Sequence, residues 1–180
     1  MDFDSDPKSV APTQPPAPER PGCVLGVVDT RGEGVYTIQA FEAGAVVIPG
    51  FAEAEFPRDR HPLRRATLDQ IALRGGLMSR VAHSCEPNCG VRLNAAGIHD
   101  LVARYRIPMG AEVTCDYATR SFVIDLFPDP CRCGAAGCRG AITGWKDLPP
   151  ELKLAYRDLA APHLLELDRA APAPPGPGEP

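Results

Sequence analysis

Residues 83–89 read His83-Ser84-Cys85-Glu86-Pro87-Asn88-Cys89, and this stretch is the most informative one in the chain. It is followed by the alternating segment Val113-Thr114-Cys115-Asp116-Tyr117, and then by Cys131-Arg132-Cys133 and Cys138. Each segment alone is a weak signal. In this order they predict a site that zinc supports structurally and in which tyrosine is the obvious chemical residue.

Cys131, Cys133 and Cys138 are spaced like metal ligands, and the glycines between them let the backbone bend around an ion. Three thiolates and one distant ligand would complete a closed tetrahedral zinc site. Cys85 and Cys89 are both candidates for that fourth ligand. The alternative is that the three residues are small buried thiols or redox cysteines.

A packed thiol is the favoured interpretation of Cys23, Cys89 and Cys115. The chain has seven cysteines, and this odd number argues against a complete disulfide framework. The beginning, Met1-Asp2-Phe3-Asp4, is acidic and lacks the basic region and apolar core of a signal peptide. We therefore expect a cytoplasmic protein whose cysteines are reduced or bound to metal.

The composition of the 180 residues is that of one globular domain, with 44% hydrophobic residues and a formal net charge of −4. No run of lysine or arginine marks a nucleic-acid surface, so we expect no direct contact with nucleic acid. The sequence also lacks an apolar stretch of about 18 residues, so we expect no span of a membrane.

Proline-rich tails at 1–21 and 170–180 are predicted to be disordered. Between them the sequence predicts a main domain over 22–128, a zinc-binding segment over 129–146 and one terminal helix over 147–169. Apolar β-formers bounded by turn residues predict a mainly β (α+β) domain. The predicted strands cover 23–28, 35–38, 45–48, 91–93, 98–104 and 112–117, and a short helix is predicted over 63–73.

Three features have both a bland and a functional interpretation. The alternation within 112–117 places Val113, Cys115 and Tyr117 on one face of a strand, where Tyr117 is read on spacing alone as a core aromatic. His83 could be a general base, a ligand or a structural histidine. Gly32-Glu33-Gly34 is predicted to form a turn between strands, where a backbone can approach a ligand closely. It has no third glycine and no following helix, so it is not a phosphate-binding fingerprint.

Together these motifs resemble those of SET-domain protein lysine methyltransferases that carry a C-terminal post-SET zinc segment. The resemblance covers about residues 23–141. Arg31-Gly32-Glu33-Gly34-Val35-Tyr36 resembles the family's N-terminal Gly-x-Gly turn, and residues 82–89 resemble its Asn-His-Ser-Cys-x-Pro-Asn signature. Residues 107–117 resemble its Gly-Glu-Glu-Leu-Thr-x-Asp-Tyr strand. Cys131-Arg132-Cys133-Gly134 with Cys138-Arg139-Gly140 resembles its post-SET pattern.

The resemblance implies a role for each matched position. Tyr117 would be the catalytic tyrosine. The cofactor S-adenosyl-L-methionine would be held, mostly through backbone atoms, by Gly32, Glu33, Gly34, Ala82 and His83. A structural Zn2+ would be held by Cys85, Cys131, Cys133 and Cys138. The implied fold is a mainly β SET-type fold of short sheets, with a pseudoknot in which the segment of Tyr117 threads past that of His83.

The implied activity is the in-line transfer of a methyl group from the cofactor's sulfonium to a lysine amine in a protein or peptide substrate. Such a displacement needs aligned reactants more than a strong acid or base. Tyr117 would orient the lysine nitrogen or the methyl group through its hydroxyl, with weak C–H···O contacts from backbone carbonyls. A narrow apolar channel would lower the pKa of the lysine and so favour the neutral amine.

The chain departs from the family at two positions. Ala82 stands where the family has asparagine, which removes a hydrogen bond to the cofactor that contributes on the order of 1 kcal/mol. Cys115 stands where the family usually has an aromatic residue that limits the number of methyl groups, so we expect di- or trimethylation.

The departure at Ala82 keeps a second hypothesis open, a catalytically silent SET-like module that binds a protein partner. A zinc-only interaction domain and a redox role for the cysteines are weaker alternatives. The tails rich in Ala, Pro, Arg and Gly suit a bacterial source, which leaves the substrate protein open.

Overall fold

The structure is a computed structural model that describes residues 22–28, 32–50, 77–125 and 130–170. In these ranges the chain forms two sheets and a few short helices, so the predicted mainly β fold is confirmed. The strands are β1 (Cys23–Val28), β2 (Gly32–Thr37), β3 (Val46–Ile48), β4 (Ala82–His83), β5 (Cys89–Leu93), β6 (His99–Ala103) and β7 (Thr114–Cys115). The helices are α1 (Pro150–Ala155), α2 (Pro162–Ala170) and the 3-10 helices Leu77–Arg80, Tyr117–Thr119 and Trp145–Asp147.

The first sheet is the antiparallel hairpin of β1 and β2, in which Gly26 faces Gly34 and Val28 faces Gly32. The prediction of a turn at 32–34 is therefore wrong, because these residues form the start of β2. Glycine in a strand often marks a close approach of another group. Here the ring of Tyr36 packs over Gly26, and a Cβ at Gly26 would lie only 2.7 Å from that ring.

The second sheet has five strands in the order β3-β6-β5-β7-β4. Its centre is the antiparallel pair β5 and β6, whose residues Val91 and Leu101 are fully buried. β7 runs parallel to both β4 and β5, with His83 opposite Cys115 and Cys89 opposite Cys115. β7 therefore lies between two strands that precede it in sequence, and Asp116, which follows Cys115, lies next to His83. This arrangement agrees with the predicted pseudoknot.

The strand predicted over 112–117 is shorter than expected. Only Thr114 and Cys115 lie in β7, and Tyr117 begins a 3-10 helix. The cause is Asp116, whose side chain accepts a hydrogen bond from the N–H of Ala118 and so caps the helix. Tyr117 therefore does not share a strand face with the fully buried Cys115, and the expectation that it does is wrong.

The single terminal helix predicted over 147–169 is also wrong, because two helices, α1 and α2, occupy this range. Proline lacks an N–H and has a helical φ, so Pro162 begins the second helix rather than ending the first. The segment between the helices docks on β5, where Val91 N donates to Leu159 O at 2.8 Å. Trp145, Tyr156 and Leu164 anchor this C-terminal region in the core.

Several predictions lie outside the described residues, namely the helix over 63–73 and the tails at 1–21 and 170–180, apart from Ala170 at the end of α2. The boundaries at 128/129 and 146/147 stay predictions. Among the described residues no helix is both long and apolar enough to cross a bilayer.

Candidate active site and cysteine cluster

A cavity of about 330 Å3 opens where the hairpin, the β4 segment and residues 131–142 meet. We call residues 131–142 the cysteine-rich loop. The cavity wall comprises Glu33 of β2, residues 79–83, Tyr117, residues 131–133 and Ile142. Three of the five residues predicted to bind the cofactor line it, namely Glu33, Ala82 and His83. Gly32 and Gly34 flank Glu33 in β2 but do not belong to the lining.

Tyr117 reaches this cavity from the start of its 3-10 helix. Its hydroxyl donates a hydrogen bond to the carbonyl oxygen of Val81 at 2.9 Å. Burial raises the pKa of Tyr117 to about 12, so the side chain is a neutral phenol near pH 7. A phenol that donates its proton to a fixed carbonyl keeps oxygen lone pairs that can accept contacts from a bound molecule.

His83 is buried in β4 and holds Tyr117 from behind. The backbone N–H of Tyr117 donates to His83 Nδ1 at 3.3 Å, and the two rings meet edge to face with centroids 5.2 Å apart. Burial lowers the pKa of His83, the charge of Arg139 lowers it further, and Asp116 opposes both. The imidazole is therefore neutral, and because Nδ1 accepts, the network assigns the proton to Nε2. Nε2 lies 3.4 Å from Cys85 Sγ, which would accept a hydrogen bond from the Nε2 proton.

The structure brings the sulfur atoms of Cys85, Cys131, Cys133 and Cys138 within 4.8 Å of one another. Cys85 Sγ and Cys131 Sγ are 4.0 Å apart. Zn–S bonds of about 2.3 Å in a tetrahedron require sulfur separations of about 3.8 Å, so this arrangement fits zinc with small adjustments. Of the two candidates for the fourth ligand, Cys85 joins the group, whereas Cys89 is fully buried in β5.

The backbone around the four sulfurs suits thiolates. The N–H of Arg139 donates to Cys85 Sγ at 3.4 Å, and Cys131 N donates to Gly140 O at 2.7 Å, which closes the loop. Burial alone raises the pKa of Cys133, but N–H donors of Cys85 and Ala135 outweigh it and lower this pKa to about 7. Burial raises the pKa of Cys85 to about 12, a tendency that a divalent cation would reverse.

A buried ion pair joins this cysteine-rich loop to the strand before Tyr117. Arg139 donates from Nη1 to Asp116 Oδ2 at 2.7 Å and from Nη2 to Asp116 Oδ1 at 3.0 Å. Asp116 is fully buried, and the Arg139 side chain is 14% exposed. Arg139 has no predicted role beyond its place in the post-SET resemblance. An arginine beside a loop cysteine carries no sequence signal that separates it from a solvated charge.

A second ion pair lies on the cavity wall, where Arg80 donates to Glu33 at 2.7 Å. These side chains are 55% and 50% exposed, so the pair contributes little to stability. Its place on the wall makes both charges available to a bound polar molecule. Spacing alone could not have paired residues 47 positions apart in sequence.

Comparison with known proteins agrees with this geometry. The profile described as "SET domain" matches residues 32–118, and the chain therefore contains a SET domain with the SET fold. The matched region holds β2 to β7 and Tyr117, whereas three of the four clustered cysteines lie beyond it.

Among curated proteins, the chain resembles "Histone-lysine N-methyltransferase 2D" of Homo sapiens, with 39% identity over 70 residues that are 37% of this chain and 1% of that protein. It also resembles "Histone-lysine N-methyltransferase ash1" of Drosophila melanogaster, with 40% identity over 67 residues, which are 36% of this chain and 3% of that protein. The similarity thus spans a very small part of these relatives.

A solved structure described as "Structural basis for the product specificity of histone lysine methyltransferases" is also similar. It has 25% sequence identity and a TM-score of 0.43, and the match covers 66% of this chain and 55% of that one.

Proposed function

We propose that this protein is an S-adenosyl-L-methionine-dependent protein-lysine N-methyltransferase. The observation that carries the proposal is the position of Tyr117. Its neutral phenol lies on the wall of a cavity that residues of the SET domain and of the cysteine-rich loop line together. The named relatives are histone-lysine methyltransferases, which supports the same reaction class for this chain.

The cavity is compatible with the cofactor. Its volume of about 330 Å3 is in the range of small-molecule sites. The wall offers the acidic side chain of Glu33 and the basic side chains of Arg80 and Arg132, which suit the ammonium and carboxylate of an amino acid. Residues Glu33, Ala82 and His83 would hold the cofactor together with the backbone of β2. When bound, S-adenosylmethionine supplies an electrophilic methyl group on a sulfonium that departs as a neutral thioether.

The protein's own residues would align the reactants and exclude water. The Tyr117 hydroxyl, fixed by Val81 O, can accept contacts from the lysine nitrogen or from polarised C–H groups. The protonated lysine must lose its proton to solvent water before it can attack, and an apolar channel lowers the pKa of the ammonium and so favours the neutral amine. Such positioning needs no strong base, and none is proposed.

The cysteine cluster would hold one structural zinc ion. Four thiolates leave no open coordination position, so the ion would order residues 131–142 rather than take part in the reaction. Cys131, Arg132 and Cys133 form part of the cavity wall. Order in this loop would therefore complete the site for the cofactor and the substrate.

The substrate would be a lysine in a protein or peptide, and no direct nucleic-acid contact or membrane association is proposed. The number of methyl groups stays a prediction. Cys115 is fully buried and is not part of the cavity lining. The resemblance assigns a size-limiting aromatic residue to this position, and because cysteine is smaller we keep di- or trimethylation as our expectation. A product that stops at monomethyl-lysine under excess cofactor would contradict it. We also propose a cytoplasmic location, which stays a prediction like the number of methyl groups.

A catalytically silent module that binds a protein partner is the second candidate, because Ala82 on the cavity wall offers no polar side chain to the cofactor. Titration calorimetry with S-adenosylmethionine separates the two. Binding favours the enzyme, whereas an absence of heat in folded, zinc-loaded protein favours the silent module. Ala82→Asn is then the informative variant, since restored binding would identify the missing group.

The proposed activity is tested by transfer of labelled methyl groups from S-adenosylmethionine to a pool of cell proteins. We expect label with the wild type and a loss of about 100-fold with Tyr117→Phe, the scale for removal of one preorganised polar group at a reacting centre. No label with the folded wild type, in protein that binds the cofactor, would overturn the proposal.

A further inference from the structure

We propose that Arg139 is a positioning residue for Tyr117, and that through Asp116 it links the geometry of the cysteine-rich loop to that of the reacting group. This inference rests on the proposed function only in taking Tyr117 as the group that faces the substrate. Under this inference residues 131–142 would have two roles, since they would form part of the cavity wall and would also hold Tyr117 in place.

The first link is the ion pair itself. Arg139 directly follows the predicted zinc ligand Cys138, and both of its terminal nitrogens bind the Asp116 carboxylate, at 2.7 Å and 3.0 Å. The geometry is bidentate, which fixes orientation as well as distance. Asp116 is fully buried, and loss of one member of a buried ion pair is strongly unfavourable.

The second link runs from Asp116 to Tyr117. Asp116 Oδ1 accepts from the N–H of Ala118 at 3.1 Å, and its carbonyl oxygen accepts from Thr119 N at 2.9 Å and from Thr119 Oγ1 at 2.7 Å. These bonds define the turn by which the chain leaves β7. The carboxylate that Arg139 orients is therefore the cap that sets where Tyr117 begins its helix.

A third link connects the other side of Tyr117 to the cysteine cluster through His83. His83 Nδ1 accepts the N–H of Tyr117, and His83 Nε2 lies 3.4 Å from Cys85 Sγ. Tyr117 is thus supported from both sides by groups that end at the cysteine cluster, through Arg139 next to Cys138 and through His83 next to Cys85. A change in the cluster should therefore displace the tyrosine.

The experiment uses the zinc-loaded full chain with 3-fluorotyrosine in place of its four tyrosines. The fluorine resonance of Tyr117 is assigned by its absence in Tyr117→Phe. Arg139→Met removes the charge and keeps the length, and Arg139→Lys restores the charge without the bidentate geometry. Arg106→Met is the matched control, because Arg106 forms an exposed ion pair with Glu42 at 3.3 Å.

We expect Arg139→Met to shift the Tyr117 resonance, Arg139→Lys to shift it less, and Arg106→Met to leave it unchanged, with one zinc per chain retained in all three. In turnover, Arg139→Met should lower kcat by about 100-fold, the scale for a misplacement of about 1 Å, while KM for the cofactor changes little. Removal of zinc from the wild type should shift the same resonance.

A Tyr117 resonance that stays in place in Arg139→Met and after zinc removal would overturn the inference. Equal losses in kcat and in cofactor affinity would do so as well, since they indicate general damage. If Arg139→Met does not fold, Asp116→Asn keeps the shape of the buried side chain and must give the same shift. The fluorine measurement needs no methyl transfer, so it can succeed where the proposed activity fails.

Discussion

At the scale of single residues, the site depends on which groups carry charge. Burial keeps Tyr117 as a phenol, with its pKa raised to about 12. His83 is kept neutral by burial and by the charge of Arg139. In the proposed reaction the substrate lysine, with an ordinary pKa of about 10.4, would then be the group whose ionisation sets the rate as pH rises.

The rate of methyl transfer should therefore rise as pH increases from 7 to about 10, since more of the lysine is neutral. It should not fall again from ionisation of Tyr117, because that phenol stays protonated until pH approaches about 12. Initial rates at saturating cofactor test this, and circular dichroism at each pH serves as the control for folding. A bell-shaped profile with a decline near pH 10 in folded protein would contradict it.

The cysteines offer a second test at this scale. Cys138→Ala should remove zinc, because it takes one of the four clustered sulfurs, whereas Cys89→Ala should keep it. Metal analysis of protein that has never met a chelator measures both, together with the wild type. Zinc retained in Cys138→Ala, or a wild type with no stoichiometric metal, would argue against the four-cysteine site.

These residues mark what the sequence could predict. The spacing of Cys131, Cys133 and Cys138 follows local rules, so the trio could be identified, but the choice between Cys85 and Cys89 required the fold. Both lie within one short segment. Cys89 pairs with Cys115 of β7 inside the second sheet, so its side chain is buried in the core. Asp116 and Arg139 are 23 residues apart, and no periodicity predicts that they pair.

At the scale of elements, sequence patterns predicted the central strands correctly but misplaced the points where strands and helices begin and end. The predicted strands at 91–93 and 98–104 pair as β5 and β6, where apolar β-forming residues such as Val91 and Leu101 are buried in the core. The errors in the turn at Gly32–Gly34 and in the single helix over 147–169, which runs through Pro162, have a common cause. Glycine and proline indicate what a backbone can do, and tertiary contacts decide between a turn and a strand, or between the end and the start of a helix.

The two C-terminal helices contain a matched pair of leucines that tests how firmly this region is docked. Leu164 of α2 is 0% exposed, and Leu154 of α1 is 71% exposed. Leu164→Ala should lower the free energy of unfolding by about 2–5 kcal/mol. Leu154→Ala should change it by less than about 0.5 kcal/mol. Urea denaturation of both variants measures the difference, and equal effects would show that α2 is not part of the cooperative core.

At the scale of the whole molecule, one crossing organises the site. β7 lies between β4 and β5, which brings Tyr117 next to His83, and Glu33 of the hairpin completes this side of the cavity, so three distant parts of the sequence meet around Tyr117. The cysteine-rich loop adds a fourth part through the cavity wall and through Arg139. The order of motifs predicted the SET fold, whereas the contacts between distant segments became visible only in three dimensions.

Chelation of zinc should therefore act on the molecule beyond the four ligands. We expect residues 131–142 to become sensitive to protease and cofactor binding to weaken, because the loop forms part of the cavity wall. The hairpin of β1 and β2 should stay protected, and it serves as the internal control. Cofactor affinity that is unchanged in zinc-free, folded protein would contradict a closing role of the loop.

The central claim is that the protein transfers methyl groups to lysine by means of Tyr117. It is tested most directly by mass spectrometry of a protein pool treated with S-adenosylmethionine and either the wild type or Tyr117→Phe, with peptides sequenced to locate each added methyl group. The account predicts methylated lysine side chains with the wild type and almost none with Tyr117→Phe. Methyl groups on another residue type, or equal lysine methylation by Tyr117→Phe, would contradict it.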